Sequence, residues 1–169
     1  MEWASYLVLA LVTAQRIGEL FLDRSNTAAL LLQGGEEHGE EHYKFFLILH
    51  SAWLVSLLIW VVLTGAEPNW VLLGLYIVLQ AGRLWVLRTL GRYWTTRIIT
   101  VSSSPLVMSG PYRFVRHPNY VVVVCEIALL PLVFDGWEIA LVFSVLNAAL
   151  LRVRIRAEDS VLASRKNKA

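Results

Sequence analysis

Two groups of polar residues carry chemistry in this chain, and both are spaced to act from one face. Asn147, Arg154 and Glu158 fall at i, i+7 and i+11, so on a helix they form a single stripe. The Arg154 to Glu158 spacing permits an ion pair, but an exposed pair of that kind is worth only a few tenths of a kcal/mol, a thin reason for its presence. The second group is Arg113, Arg116, His117, Pro118, Asn119 and Tyr120, at the mouth of an apolar run. Pro118 suits the first turn of a helix, where its missing N–H costs nothing. Seven residues separate Asn119 from Glu126, which puts both on one helical face with Glu126 the deeper.

Ionisable and amide side chains within apolar helices are expensive, so each is a functional candidate by default. Arg16, Glu19, Glu126 and Asn147 are therefore read as candidate substrate-binding residues. Arg16 and Glu19 also have the spacing of an intrahelical pair near the interface. His42 and His50 are eight apart and can share a face, and His38 reads as a loop residue. With no acidic or cysteine partner evident, no metal centre is expected. The single Cys125 sits in an apolar run, which excludes a disulfide framework and suggests a packing role. The G-x-G-x-x-G and Walker patterns are missing, so a soluble dinucleotide fold is excluded. A cofactor site must then be built from helix ends and a connector, where Arg113, Arg116, His117, Tyr120, Arg154 and Glu158 converge.

The elements that position these residues follow from composition. Of 169 residues 57% are hydrophobic and 17% charged, which excludes a disordered or nucleic-acid-binding chain and points to an integral membrane protein. A hydrocarbon core about 30 Å thick needs roughly 20 apolar residues per helix. Five runs qualify or nearly so, at 3–22, 45–64, 69–87, 119–134 and 136–152. The last two, separated by Asp135 and Gly136, read as a tight helical hairpin that tilts or extends past the bilayer. Arg83, near the end of the third run, is expected to snorkel to the headgroups. The first run lacks the basic start and cleavage site of a signal peptide, so it is read as a permanent helix. The fold class is thus all-α, a single integral membrane domain of five transmembrane helices.

Basic residues set its orientation. One set of loops holds Arg24 and Lys44, then Arg88, Arg92, Arg97, Arg113 and Arg116, then Arg152, Arg154, Arg156, Arg165, Lys166 and Lys168. Only Glu2, Glu67, Asp135 and Glu138 fall on the opposite side. The positive-inside rule then puts the N-terminus outside and the C-terminus in the cytoplasm. Residues 88–118 form a connector too polar to span and too aromatic to be floppy, so it should be ordered. Ile98, Ile99 and Val101 suggest a short extended piece within it, before a turn from Ser102 to Pro105. Residues 153–169 form a basic cytoplasmic tail.

The run G-P-Y-R-F-V-R-H-P-N-Y from Gly110 to Tyr120, followed by a short hairpin and then R-I-R-A-E-D-S-V-L from Arg154 to Leu162, resembles the isoprenylcysteine carboxyl methyltransferase superfamily. Leu90 to Thr95, L-G-R-Y-W-T, fits as well, so the likeness covers about the last 80 residues. Q-R-I-G-E-L from Gln15 to Leu20 and G-G-E-E-H-G-E-E-H-Y from Gly34 to Tyr43 look like a small bacterial branch, related to alkylpyrone O-methyltransferases.

The resemblance implies an enzyme of the bacterial inner membrane that uses S-adenosylmethionine. His117 and Tyr120 would contact the cofactor, the backbone at Leu106 and Val107 would border its adenine, and Arg116 and Pro118 would shape the turn. Arg154 and Glu158 would stand at the reaction centre, the arginine near the acceptor's acidic oxygen. Arg16, Glu19 and Glu126 belong to the branch pattern. The family's usual covering segment F-G-x-x-Y is replaced, Asp159 standing where a second Glu is usual. The covering contacts are then expected from the 25–44 loop or a second subunit. The implied partner is a lipid-like acidic substrate entering from the bilayer: a prenylated cysteine, an alkylpyrone hydroxyl or a fatty carboxylate. Phospholipid N-methylation and a non-enzymatic membrane binding or transport subunit are the alternatives, and oligomeric state is left open.

Overall fold

The computed structural model describes residues 3–101, 104 and 106–166. Glu2, Lys168 and, apart from Ser104, the turn from Ser102 to Pro105 lie outside the described residues, as do the side chains of Arg165 and Lys166. Five helices make up most of the chain: α1 (Trp3–Leu32), α2 (Glu40–Thr64), α3 (Trp70–Leu90), α4 (Pro118–Val133) and α5 (Trp137–Lys166). Two short strands, β1 (Glu36–His38) and β2 (Ile98–Thr100), join the α1–α2 link to the α3–α4 connector. They pair antiparallel with Glu37 opposite Ile99, so β2 is the extended piece foreshadowed at Ile98 and Ile99.

By length and composition α1, α2 and the helix beginning at Trp70 can each cross a membrane, and α4 is a shorter apolar helix. The chain is an α-helical membrane protein. Its outward surface is accordingly apolar, with Leu63 79% and Val71 75% exposed, because lipid tails rather than water are the neighbours there. The packed centre is a cluster of Leu9, Val12, Trp53, Leu57, Val61, Tyr76, Leu130, Val133 and Phe134.

α4 and α5 form the hairpin, turning at Phe134, Asp135 and Gly136. Asp135 sits in the left-handed region at φ 55°, and the carbonyls left over at the end of α4 find donors on other helices. Asn69 N–H donates to the Val133 carbonyl at 2.8 Å, and Trp60 Nε1 donates to the Phe134 carbonyl at 2.8 Å. α5 is continuous through Lys166, so its polar half projects beyond the start of α4.

Three local expectations change. The stretch read as a 25–44 loop is helix to Leu32, strand at 36–38 and helix again from Glu40. α1 persists because Glu19, Asp23, Asn26 and Leu30, spaced i, i+4, i+7 and i+11, are all buried on one face. Arg83 does not snorkel; it is 5% exposed and points into the bundle. Cys125 is exposed on the outer face rather than packed.

Candidate functional site

Helix geometry brings the two polar groups together. Tyr120 lies 15 residues before Asp135 and Arg154 lies 18 after Gly136, so at about 1.5 Å rise per residue both stand roughly 22 to 27 Å from the hairpin turn. An antiparallel pair therefore sets them side by side. His117 caps α4, with Pro118 buried in its first turn, and the His117 ring stacks on Tyr120 at 5.4 Å between centroids.

The Tyr120 hydroxyl links the two α5 residues. It accepts from Arg154 Nε at 2.8 Å and donates to Glu158 Oε2 at 2.5 Å. Arg154 Nη2 donates to the Thr96 carbonyl at 2.5 Å, and its guanidinium lies over the rings of Phe46 at 5.2 Å and Tyr120 at 5.7 Å. Two donors and two ring faces thereby fix the fork. His117 Nδ1 is 3.7 Å from Glu158 Oε2, and its Nε2 is 3.2 Å from Asp159 Oδ1. Arg116 reaches Asp159 at 3.5 Å but is 71% exposed, so that contact is at the rim and weak.

These side chains wall a cavity of about 640 Å³. Leu106, Val107 and Tyr112 face it from the connector, Leu30 from the end of α1, Arg113 and Arg116 from the approach to α4, and Asn119 from the first turn of α4. The 25–44 segment thus borders the site through Leu30, and β1 braces β2 behind it. Burial, then the nearby Glu158 charge, push the Tyr112 phenol up, so it remains a neutral donor. Asn119 Oδ1 is buried without a hydrogen-bond partner.

Arg16, Glu19 and Glu126 assemble elsewhere, about 9 Å further along α4 from Tyr120 by helical rise. Arg83 donates to both Glu19 oxygens at 2.5 Å and through Nη1 to Glu126 Oε2 at 2.7 Å. Arg16 reaches Glu126 at 2.8 Å and Glu19 at 2.9 Å, Gln80 donates to the remaining Glu126 oxygen, and Gln15 adds a second donor to Glu19 Oε1. Two cations and two anions make the quartet neutral, which is what a low-dielectric interior requires. None of the four lines the cavity. Asn147 is buried on α5 with its Oδ1 unpartnered.

Several participants were not singled out from sequence. Arg83 reads as interfacial from its place near the end of the third run, yet Tyr76, Gln80 and Arg83 at i, i+4 and i+7 form one polar stripe, which the structure turns inward. Thr96 acts through its backbone, which no side-chain pattern announces. Among the described residues, no group of three or more His, Cys, Asp or Glu side chains is placed to hold a metal ion.

Fold and site together define a helical membrane protein with a cavity, lined by apolar and charged side chains, where a connector folds over the end of a hairpin. A cationic ligand with a flat ring would find matching groups there: carboxylates at Glu158 and Asp159, the stacked His117 and Tyr120 rings, and the orphan acceptor of Asn119. The chain belongs to the isoprenylcysteine carboxyl methyltransferase family, whose profile matches residues 72–164. Among its relatives, the uncharacterized protein YpbQ of Bacillus subtilis is 40% identical over 93% of this chain and 95% of its own length. An uncharacterized protein of Haemophilus influenzae is 25% identical over 93% of this chain and 94% of its own. The cobalt-zinc-cadmium resistance protein CzcN of Cupriavidus metallidurans is 36% identical over 52% of this chain and 42% of its own. No solved structure matches.

Proposed function

We propose that the protein is an S-adenosylmethionine-dependent O-methyltransferase of the bacterial inner membrane, acting on the carboxylate or acidic hydroxyl of a lipid-like substrate. The observation that carries this reading is the fixed guanidinium of Arg154 at the wall of a cavity it shares with His117, Asn119 and Glu158. His117, Tyr120 and Asn119 would hold the cofactor with the backbone at Leu106 and Val107, and Arg116 and Pro118 would keep the turn in shape. When bound, the cofactor supplies a methyl group on a positively charged sulfur.

Arg154 has Nε and Nη2 committed to Tyr120 and Thr96, leaving Nη1 to orient an anionic oxygen. A carboxylate or acidic enol is already ionised near pH 7, so the residues need only align it and exclude water. Positioning of this kind can contribute several kcal/mol, on the order of 7 or more in well-oriented reactions. The cavity's site at the bundle end suits a water-soluble cofactor meeting a bilayer-borne acid, with the tail entering laterally. In this reading the connector and the end of α5 face the cytoplasm. N-methylation fits less well, because Arg154 would repel a protonated amine.

The test is calorimetric titration of S-adenosylmethionine into the protein in nanodiscs, followed by methyl transfer to N-acetyl-S-farnesylcysteine, a long-chain alkylpyrone and palmitic acid. Cofactor binding, with activity toward one acceptor that Arg154→Ala and Glu158→Ala abolish, supports the reading. Near-normal turnover in both folded variants refutes it.

A further inference from the structure

Past the run read as a span, the buried stripe of α1 turns polar. Asp23 is 2% exposed, and its Oδ1 accepts from the Thr96 backbone N–H at 2.6 Å. One turn on, Asn26 Nδ2 donates to the carbonyls of Trp94 at 2.7 Å and Gly91 at 3.2 Å. Burying a carboxylate is costly unless it is paired and hydrogen-bonded, so the Thr96 N–H is a needed partner for Asp23. Arg97, the neighbouring cation, feels the Asp23 charge but gives its hydrogen bonds to both oxygens of Glu37, at 3.0 and 2.9 Å, so the hydrogen bonds by which α1 grips this bend go to backbone groups. Thr96 is also the residue whose carbonyl receives Arg154 Nη2. Its N–H is held by α1 and its C=O by α5.

We infer that Asp23 is a positioning residue for Arg154: through the Thr96 backbone it sets the direction of the guanidinium, acting as a hydrogen-bond acceptor and not as a charge. The inference rests on the proposed reading, in which Arg154 orients the acceptor's oxygen. A guanidinium is planar, with its donors fixed in a fork. Bonds from Nε and Nη2 define that plane and aim Nη1. With Thr96 released, only the Tyr120 bond and the two ring faces remain, and the plane can swing about them. A misplacement of about 1 Å far from the chemistry can cost on the order of 100-fold in rate.

The test uses the full chain in nanodiscs with ¹⁵N-labelled arginine. The protected Arg154 Nη2–H resonance, which reports the bond to the Thr96 carbonyl, is assigned by its disappearance in Arg154→Lys. Asp23→Asn keeps an acceptor oxygen without the charge, and Asp23→Ala removes both. Asp23→Asn is expected to retain the resonance and near-wild-type turnover. Asp23→Ala is expected to lose the resonance and about 10- to 100-fold in kcat, with the KM and calorimetric Kd for S-adenosylmethionine nearly unchanged. A resonance and kcat unaltered in Asp23→Ala overturn the inference. So does an Asp23→Asn protein that folds yet has lost the Arg154 signal, and this second variant decides the matter if Asp23→Ala fails to insert. A wild-type protein that takes up no S-adenosylmethionine counts against the proposed function alone, since the resonance still tests the clamp.

Discussion

Arg83 on α3 and Glu19 on α1 meet as a bidentate pair, Nε to Oε1 and Nη2 to Oε2 both at 2.5 Å, although 64 residues separate them. The pair sits between apolar helices, so removing Arg83 leaves two buried carboxylates, Glu19 and Glu126, sharing the single cation of Arg16. Arg83→Ala should destabilise the protein by about 3 to 5 kcal/mol, as breaking a buried pair commonly does. Replacing both, Arg83→Met with Glu19→Met, leaves Arg16 and Glu126 still paired and should recover most of the loss. Thermal unfolding in detergent followed by tryptophan fluorescence checks this; a single variant as stable as the parent would contradict it.

Arg154→Lys should not rescue function. Lysine offers a point charge on a flexible stem and cannot give separate, fixed donors to the Tyr120 hydroxyl and the Thr96 carbonyl. Turnover is expected to drop about 100-fold or more, toward the loss in the alanine variant, while the protein still inserts. Steady-state methyl transfer decides it, and a lysine enzyme within a factor of a few of wild type would show that charge alone suffices.

Tyr120→Phe removes the oxygen that joins Arg154 to Glu158 and keeps the ring stacked on His117. The fold should hold, and cofactor affinity, if it rests on the ring, should change little. The fall should appear in kcat, about 10-fold or more, since the hydroxyl makes two charge-assisted bonds, to Arg154 and Glu158, each worth roughly 1.5 to 3 kcal/mol. A change confined to cofactor Kd would instead assign the hydroxyl to binding.

Gly110 opens the turn that leads to His117. Its φ is +56°, and a Cβ there would collide with the Thr89 side chain at the end of α3. Gly110→Ala should therefore lower both stability and cofactor affinity, the backbone part costing about 1 to 2 kcal/mol. Adding Thr89→Ala should relieve the collision and restore part of the loss, leaving the backbone part. Melting curves and calorimetry on the single and double variants test this, and no recovery in the double would mean the collision is not what matters.

Glu37 and Arg97 bridge β1 and the start of β2, but Arg97 keeps a third of its side chain exposed. Glu37→Gln should cost no more than about 1 kcal/mol. A larger shift in unfolding temperature would make the two-stranded ribbon a main support of the connector.

What could be read from the chain alone were its local regularities. Apolar run lengths declare membrane helices, and the spacing of Arg154 and Glu158, like the run from Gly110 to Tyr120, puts specific groups at specific helix positions. Periodicity says which residues share a face, because 3.6 residues per turn is a local property. It does not say what that face meets. Arg83 looked interfacial until α1 and α4 were seen to present Glu19 and Glu126 to it. The α1 helix continued past its apolar run because Asp23 and Asn26 find backbone partners in a bend some 70 residues away. Tyr120 became the bridge between Arg154 and Glu158 only through the rotation of α4 against α5. Helix rotation and the path of a connector are set by packing and by hydrogen bonds between distant segments, and these come into being only when the whole chain is assembled.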